Sequence, residues 1–217
     1  MRIGTVVSLT TALGAFLLLL PPVQTRFYTV GFRWLYILLV SYLVATALTP
    51  LIRRMAIRIG AVDHPSLRKI HESSTPRLGG VAVYLAFLIA ILANTAGLAA
   101  PLVLNEGMLG VLAGGTLLLL IGVRDDIRPV PATVKLVVQI VAAAIVIWAG
   151  KLLTFFPHSV WGDALNVLLT VLWIVGITNA FNFSDGMDGL ATGLGIIIAF
   201  FRNRETVLAD EMDLLKW

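Results

Sequence analysis

The sequence predicts an all-α fold, a polytopic bundle of transmembrane helices with six spans and a short seventh apolar run. Three observations lead there. Of the 217 residues, 59% are hydrophobic and only 13% charged, and the mean hydropathy is +0.94; a soluble domain holds roughly 45–50% and about 25%. The charges fall between long uncharged stretches, most of them close to the ~20 residues that cover a bilayer core of about 30 Å. The basic residues, finally, collect in alternate connections. A soluble globule of this length cannot hide so much apolar surface, and the same composition excludes disorder. Cysteine is absent, which removes disulfides, thiol catalysis and thiolate-bound zinc. The net charge of +4 lies beside the apolar stretches, so it reads as topology and not as a nucleic-acid footprint.

The elements follow in order. Residues 3–25 carry no charge, and a span is expected near 3–20. Arg2 is a minimal basic leader but no small-residue cleavage site follows, so an uncleaved helix is favoured over a signal peptide. Pro21-Pro22 reads as its end. Further spans are expected near 34–52, 78–98, 108–123, 134–150 and 164–181, each inside or nearly inside an uncharged stretch. The segment 53–77 holds Arg53, Arg54, Arg58, Arg68, Lys69 and Arg77 against Asp63 and Glu72; 124–135 holds Arg124, Arg128 and Lys135. The turns near 99–107 and 151–163 offer only Lys151 as a cation. By the positive-inside rule the two basic segments are cytoplasmic, as are Met1 and residues 182–188. Residues 1–201 form one membrane-embedded domain, with 3–20 as an extra N-terminal helix, and 202–217 form a charged tail.

Three polar clusters fall on the face expected to be cytoplasmic. The first runs from Arg68 through Lys69, His71, Pro76 and Arg77 to Gly79 and Gly80. Arginine forks and a lysine point charge suit phosphate. Pro76 favours an extended approach to the next span, and the glycines permit close backbone approach. A basic loop followed by small-residue packing accounts for the same residues. The second cluster is Arg124-Asp125-Asp126-Ile127-Arg128, followed by Lys135 and Gln139 on one helix face. Paired carboxylates suit Mg²⁺ or a proton in transit; a charged turn with Arg–Asp pairing is the alternative. The third is Asn179-Ala180-Phe181-Asn182-Phe183-Ser184-Asp185-Gly186-Met187-Asp188-Gly189. On a helix, Asn179 and Asn182 share a face, as do Asp185 and Asp188, while the glycines argue for a break where backbone amides meet a phosphate. Carboxylates, cations and glycines beside apolar walls suit an anionic nucleotide meeting a lipid phosphate. They suit ion transport less well, because the acids lie at span ends and not at the midplane.

In this order and spacing the stretches RKIHESSTPRLGGVAVY, DDIRPVPATVKLVVQ and NAFNFSDGMDGL resemble the polyprenyl-phosphate N-acetylhexosamine-1-phosphate transferases, over about residues 34–200. The resemblance implies an integral membrane enzyme of the bacterial inner membrane, commonly a homodimer, that starts envelope glycans. A lipid phosphate, usually undecaprenyl phosphate, attacks the sugar-linked phosphate of a UDP-N-acetylhexosamine; UMP leaves, and Mg²⁺ is the cofactor. It also implies roles. Asp125, Asp126 and Asp185 are catalytic and bind the metal. Lys69, His71, Arg77, Gly79, Gly80, Lys135, Asn179, Asn182 and Asp188 contact the substrates. Thr75-Pro76-Arg77-Leu78-Gly79-Gly80 is closer to the branch using UDP-GlcNAc than to the phospho-MurNAc-pentapeptide branch, which typically reads TPTMGG.

The family pattern continues with an MGDxGS-like segment that supplies a further metal-binding Asp, and then a His-rich loop. Neither is in this sequence, whose histidines are His64, His71 and His158. The run 189–201 is too short to cross a core by itself, at about 20 Å for ~1.5 Å per residue. The tail reads as the product of a truncated or frame-shifted gene, and little or no transferase activity is expected of the chain alone. A non-catalytic membrane binder and a small transporter are the competing readings.

Overall fold

The structure, a computed structural model, describes residues 3–63, 75–95, 104–184 and 193–195. The elements are α1 (Ile3–Leu18), α2 (Pro21–Thr29), α3 (Arg33–Ile59), β1 (Val62–Asp63), β2 (Thr75–Pro76), α4 (Gly79–Thr95), α5 (Glu106–Ile127), α6 (Ala132–Trp148) and α7 (Val160–Ser184). The fold is all-α apart from one two-residue antiparallel pairing of β1 with β2. Among the described residues, α3, α5 and α7 are each long and apolar enough to cross a membrane, and α1 with α2, bent by 67°, make a fourth candidate. Helices α4 and α6 lie where spans are expected, but at 17 residues each they are about 26 Å long, short of a full core. The run 189–201 and the tail 202–217 lie outside the described residues, 193–195 apart.

The chain divides into two compact units, residues 1–151 and 152–217. In the first, α1 stops at Leu18 as Pro21-Pro22 predicts, but the prolines also open α2, occupying its first two positions, where a missing N–H costs nothing. Helix α3 ends on Gly60 at φ 75°, with the Ala61 amide donating to the Ala56 carbonyl at 2.9 Å. This is a left-handed cap in which Ala61 packs back on the last turn, and both alanines are fully buried. The β1–β2 pairing and the Arg77 amide, which donates to the Ala61 carbonyl at 3.1 Å, then close a neck under the segment 64–74.

Small residues decide the helix packing. Ala82, Ala86 and Ala90 form one stripe of α4, each 1% exposed, and admit Tyr36, Val40, Val44, Ile52 and Ala56 of α3. Gly107, Gly110 and Gly114 form the facing stripe of α5 against α6: a Cβ at Gly110 would collide with that of Ala149, and one at Gly114 would lie 3.1 Å from the Ala142 carbonyl. Such stripes let apolar helices approach closely where lipid removes any hydrophobic preference for one partner. Tyr84 ties α4 to α5 through Thr116 Oγ1 at 2.6 Å and the Leu112 carbonyl at 3.0 Å. The outward faces carry apolar side chains, Leu38, Val83 and Leu120 being more than half exposed.

At the Asn94 end of α4, Asn94 Oδ1 accepts from Arg33 Nε at 2.9 Å and from Tyr28 Oη at 2.5 Å, while Gln24 Nε2 donates to the Ala93 carbonyl at 2.7 Å. Arg33 also lies over the Tyr28 ring, 5.3 Å from its centroid. One terminal nitrogen of Arg33 and the buried Tyr36 hydroxyl find no partner among the described residues.

In the second unit the segment before α7 is strapped to it by buried Asn166. Its Oδ1 accepts from the Phe155 and Phe156 amides at 3.0 and 2.9 Å, and its Nδ2 donates to the Phe156 carbonyl at 3.1 Å. Thr170 accepts from the Leu153 amide at 3.0 Å.

Candidate active site

The acidic pair occupies the last turn of α5, just past the uncharged run that ends at Val123. Pro129 and Pro131 have no N–H and the Arg128 amide donates to the Arg124 carbonyl at 2.9 Å, which leaves the Val130 amide as the remaining backbone donor of the linker to α6. Asp125 takes it: Oδ1 accepts from Val130 at 2.9 Å, and Oδ2 accepts from Lys135 Nζ at 2.5 Å. The carboxylate therefore clamps the α5–α6 turn from both sides. Lys135 holds the turn across ten residues. Lys135, assigned to phosphate by resemblance, spends its ammonium on Asp125. Each Asp125 oxygen keeps a further lone pair, and about a third of both side chains remains exposed, 30% for Asp125 and 34% for Lys135. Asp126 is half-buried beside it and has its own interaction. Gln139 is buried one turn above Lys135, as the i, i+4 spacing requires.

The neck brings the first cluster to the second. Val123 packs on the group formed by Ile52, Ala56, Ala61, Leu78 and Ala82, so the α3–α4 neck and the end of α5 share one core. Arg77, exposed at the neck, lies close enough for its positive charge to act on the Asp125 carboxylate, together with that of Lys135. Gly79 and Gly80 open α4, and a Cβ at either would meet nothing within 4 Å. Among the described residues, no close packing of the kind the small-residue alternative requires is found at either. Thr75-Pro76 is extended, as the proline predicts.

Asn179 and Asn182 fall on α7 in the second unit; both are exposed, and Asn179 Nδ2 donates to the Val175 carbonyl at 2.8 Å. The helix runs on through Ser184, so the two amides share a face. Lys69, His71, Asp185 and Asp188 lie outside the described residues. Among the described residues no three acidic or histidine side chains gather around a common point. Asp125 and Asp126 supply hard oxygens that fit part of a Mg²⁺ shell. Every acid described on a helix sits in a first or last turn: Glu106, Asp125 and Asp126 on α5 and Asp163 on α7. None sits at mid-helix, where a transporter would place a coupling acid.

Sequence reasoning missed the Val130 amide. The Pro-Val-Pro spacing was the available signal, because it isolates one donor between two residues that have none.

Residues 108–215 match the model of glycosyl transferase family 4. A probable undecaprenyl-phosphate N-acetylglucosaminyl 1-phosphate transferase of Bacillus subtilis is 37% identical over 164 residues, which are 73% of this chain and 44% of that protein. A decaprenyl-phosphate N-acetylglucosaminephosphotransferase of Mycolicibacterium smegmatis is 37% identical over 157 residues, 68% of this chain and 39% of the relative. A phospho-N-acetylmuramoyl-pentapeptide-transferase of Lactobacillus johnsonii is 37% identical over 150 residues, 59% of this chain and 45% of the relative. The chain thus spans less than half the length of these relatives. No solved structure matches.

Proposed function

This chain belongs to glycosyl transferase family 4, and from that premise we propose that it is part of an enzyme moving N-acetylhexosamine 1-phosphate, most specifically GlcNAc 1-phosphate, from a UDP-sugar to undecaprenyl phosphate. The names of the Bacillus and Mycolicibacterium relatives support a polyprenyl phosphate acceptor and an N-acetylglucosamine cargo. An oxygen of the lipid phosphate attacks the phosphorus bonded to the sugar. The bond from that phosphorus to the bridging oxygen breaks, and UMP leaves with its electrons. Such a transfer is driven mainly by positioning and charge neutralisation.

Arg77 and Lys135 supply positive charge around the acidic pair, and the open backbone at Gly79 and Gly80 leaves room for a ligand beside the neck. Asp125 holds the α5–α6 turn and so fixes where Asp126 sits. Mg²⁺, held by Asp126 with Asp125 and Asp185, would offset the charge of the two phosphates when bound. Asn179, Asn182 and Asp188, with Lys69 and His71 of the first cluster, complete the contacts to nucleotide and sugar. The basic segments favour the cytoplasmic side for this end of the bundle, and the bacterial relatives support an inner-membrane setting.

One observation carries the reading: Lys135 of the second motif holds Asp125 at the end of an apolar helix whose Val123 packs on the neck that carries Arg77 of the first motif. The test joins this chain to the C-terminal half of the Bacillus relative and measures lipid-linked pyrophosphoryl-GlcNAc and UMP in membranes. Asp126→Asn should lower turnover at least about 100-fold, about 2.7 kcal/mol of activation free energy. Unchanged turnover in that variant would remove the acidic pair from the chemistry.

A further inference from the structure

A cavity lies beside the neck. It has a volume of about 250 Å³ and is lined by Thr49, Ile52, Arg53 and Ala56 of α3 and by Pro76, Leu78, Gly79 and Ala82 of the neck and α4. Its floor is dry: Ile52, Ala56, Leu78 and Ala82 are each at most 6% exposed. Its mouth is open, because Thr49, Arg53 and Gly79 are exposed. Thr49 and Arg53 are four apart and share a face of α3, with Arg53 about 6 Å nearer the helix end. Along α4 the lining runs inward from Gly79 to Ala82. The cavity is therefore amphiphilic along the bundle axis, with a cation at the outer end and apolar walls leading toward the membrane.

Arg53 has no ion-pair partner among the described residues. Its neighbours Arg54 and Arg58 carry the same charge, so no acid on this stretch of α3 neutralises it. On the same stretches of α3 and α4, Leu51, Met55 and Val83 are 59%, 42% and 64% exposed, a surface that suits acyl chains and not water. The volume is below the roughly 300 Å³ at which whole small-molecule sites begin, and fits a headgroup with the first part of a chain.

We propose that this crevice holds an anionic bilayer phospholipid, its phosphate on Arg53 and the start of its acyl chain against Ile52, Ala56, Leu78 and Ala82. Basic crevices between transmembrane helices select such headgroups. The crevice shares Gly79 with the residues proposed for the transfer reaction, but its cation, Arg53, takes no part in that reading.

Native mass spectrometry of the detergent-purified, delipidated chain tests this, with phosphatidylglycerol, phosphatidylcholine and undecaprenyl phosphate added in turn. One phosphatidylglycerol should bind in clear preference to phosphatidylcholine, Arg53→Gln should lose at least about five-fold in its occupancy, and Arg54→Gln, which removes the same charge outside the lining, should keep it. Equal loss in both variants would overturn the proposal in favour of general surface attraction. Equal binding of phosphatidylcholine, or displacement of phosphatidylglycerol by one equivalent of undecaprenyl phosphate, would overturn it as well.

Discussion

Helix α4 carries polar groups at both ends, and they are used in different ways. At its Asn94 end, one amide oxygen accepts from both Arg33 and Tyr28, and Gln24 caps the neighbouring Ala93 carbonyl. These bonds tie the bundle together and stay inside it. At its Gly79 end, Arg77 stands exposed, a Cβ on either glycine would meet no described residue within 4 Å, and the Asp125 carboxylate at the neighbouring end of α5 is only about two-thirds covered. Polar residues in an apolar bundle therefore do not mark a functional site by their presence. What separates the ends is exposure: the polar groups at Asn94 are buried in the bundle, and those at Gly79 are open to a ligand.

That contrast can be broken by substitution. The largest stability effect is expected at the buried end: Asn94→Leu removes the acceptor shared by Arg33 and Tyr28 and should cost about 2–3 kcal/mol, read as a lower unfolding midpoint in detergent, with phosphate-ligand binding by the folded fraction unchanged. A comparison of glycines sharpens the packing side. Gly110→Ala drives a methyl into that of Ala149 and should cost about 1–3 kcal/mol, whereas Gly80→Ala meets no atom and should be neutral or gain up to about 1 kcal/mol. Matching midpoints for the two would show that the α5–α6 seam is not closely packed. The smallest effect belongs to Lys135→Met. The pair it breaks is about one-third exposed, so a loss of about 1 kcal/mol is expected, shrinking when the melt is repeated at about 1 M salt. A loss that ignores salt would mean that Lys135 acts by packing alone.

The helices were largely legible in the residues. Their uncharged stretches set the positions, Gly60 and Gly150 mark the caps of α3 and α6 at φ 75° and 81°, and Pro76 marks the extended entry to α4. The opening of α2 at Pro21 was not, because two prolines end one helix and begin another equally well. In the site, the acidic pair and the Lys135–Gln139 face could be named from spacing. The partners of Asp125 could not, since ten residues and a Pro-Val-Pro turn separate it from Lys135, and 48 positions separate it from Arg77.

Composition and the spacing of charge settle that this chain is a helical membrane protein, since a bilayer admits backbone only when its hydrogen bonds close within the segment. They do not settle which faces meet. Helices such as α4, α5 and α7 are apolar nearly all round, so no hydrophobic contrast marks an inward side. Only the packed bundle revealed that Ala82, Ala86 and Ala90 face α3, that Gly107, Gly110 and Gly114 face α6, and that Arg77 thereby reaches Asp125. Steric fit between small residues makes that choice, and it exists only once two surfaces are in contact.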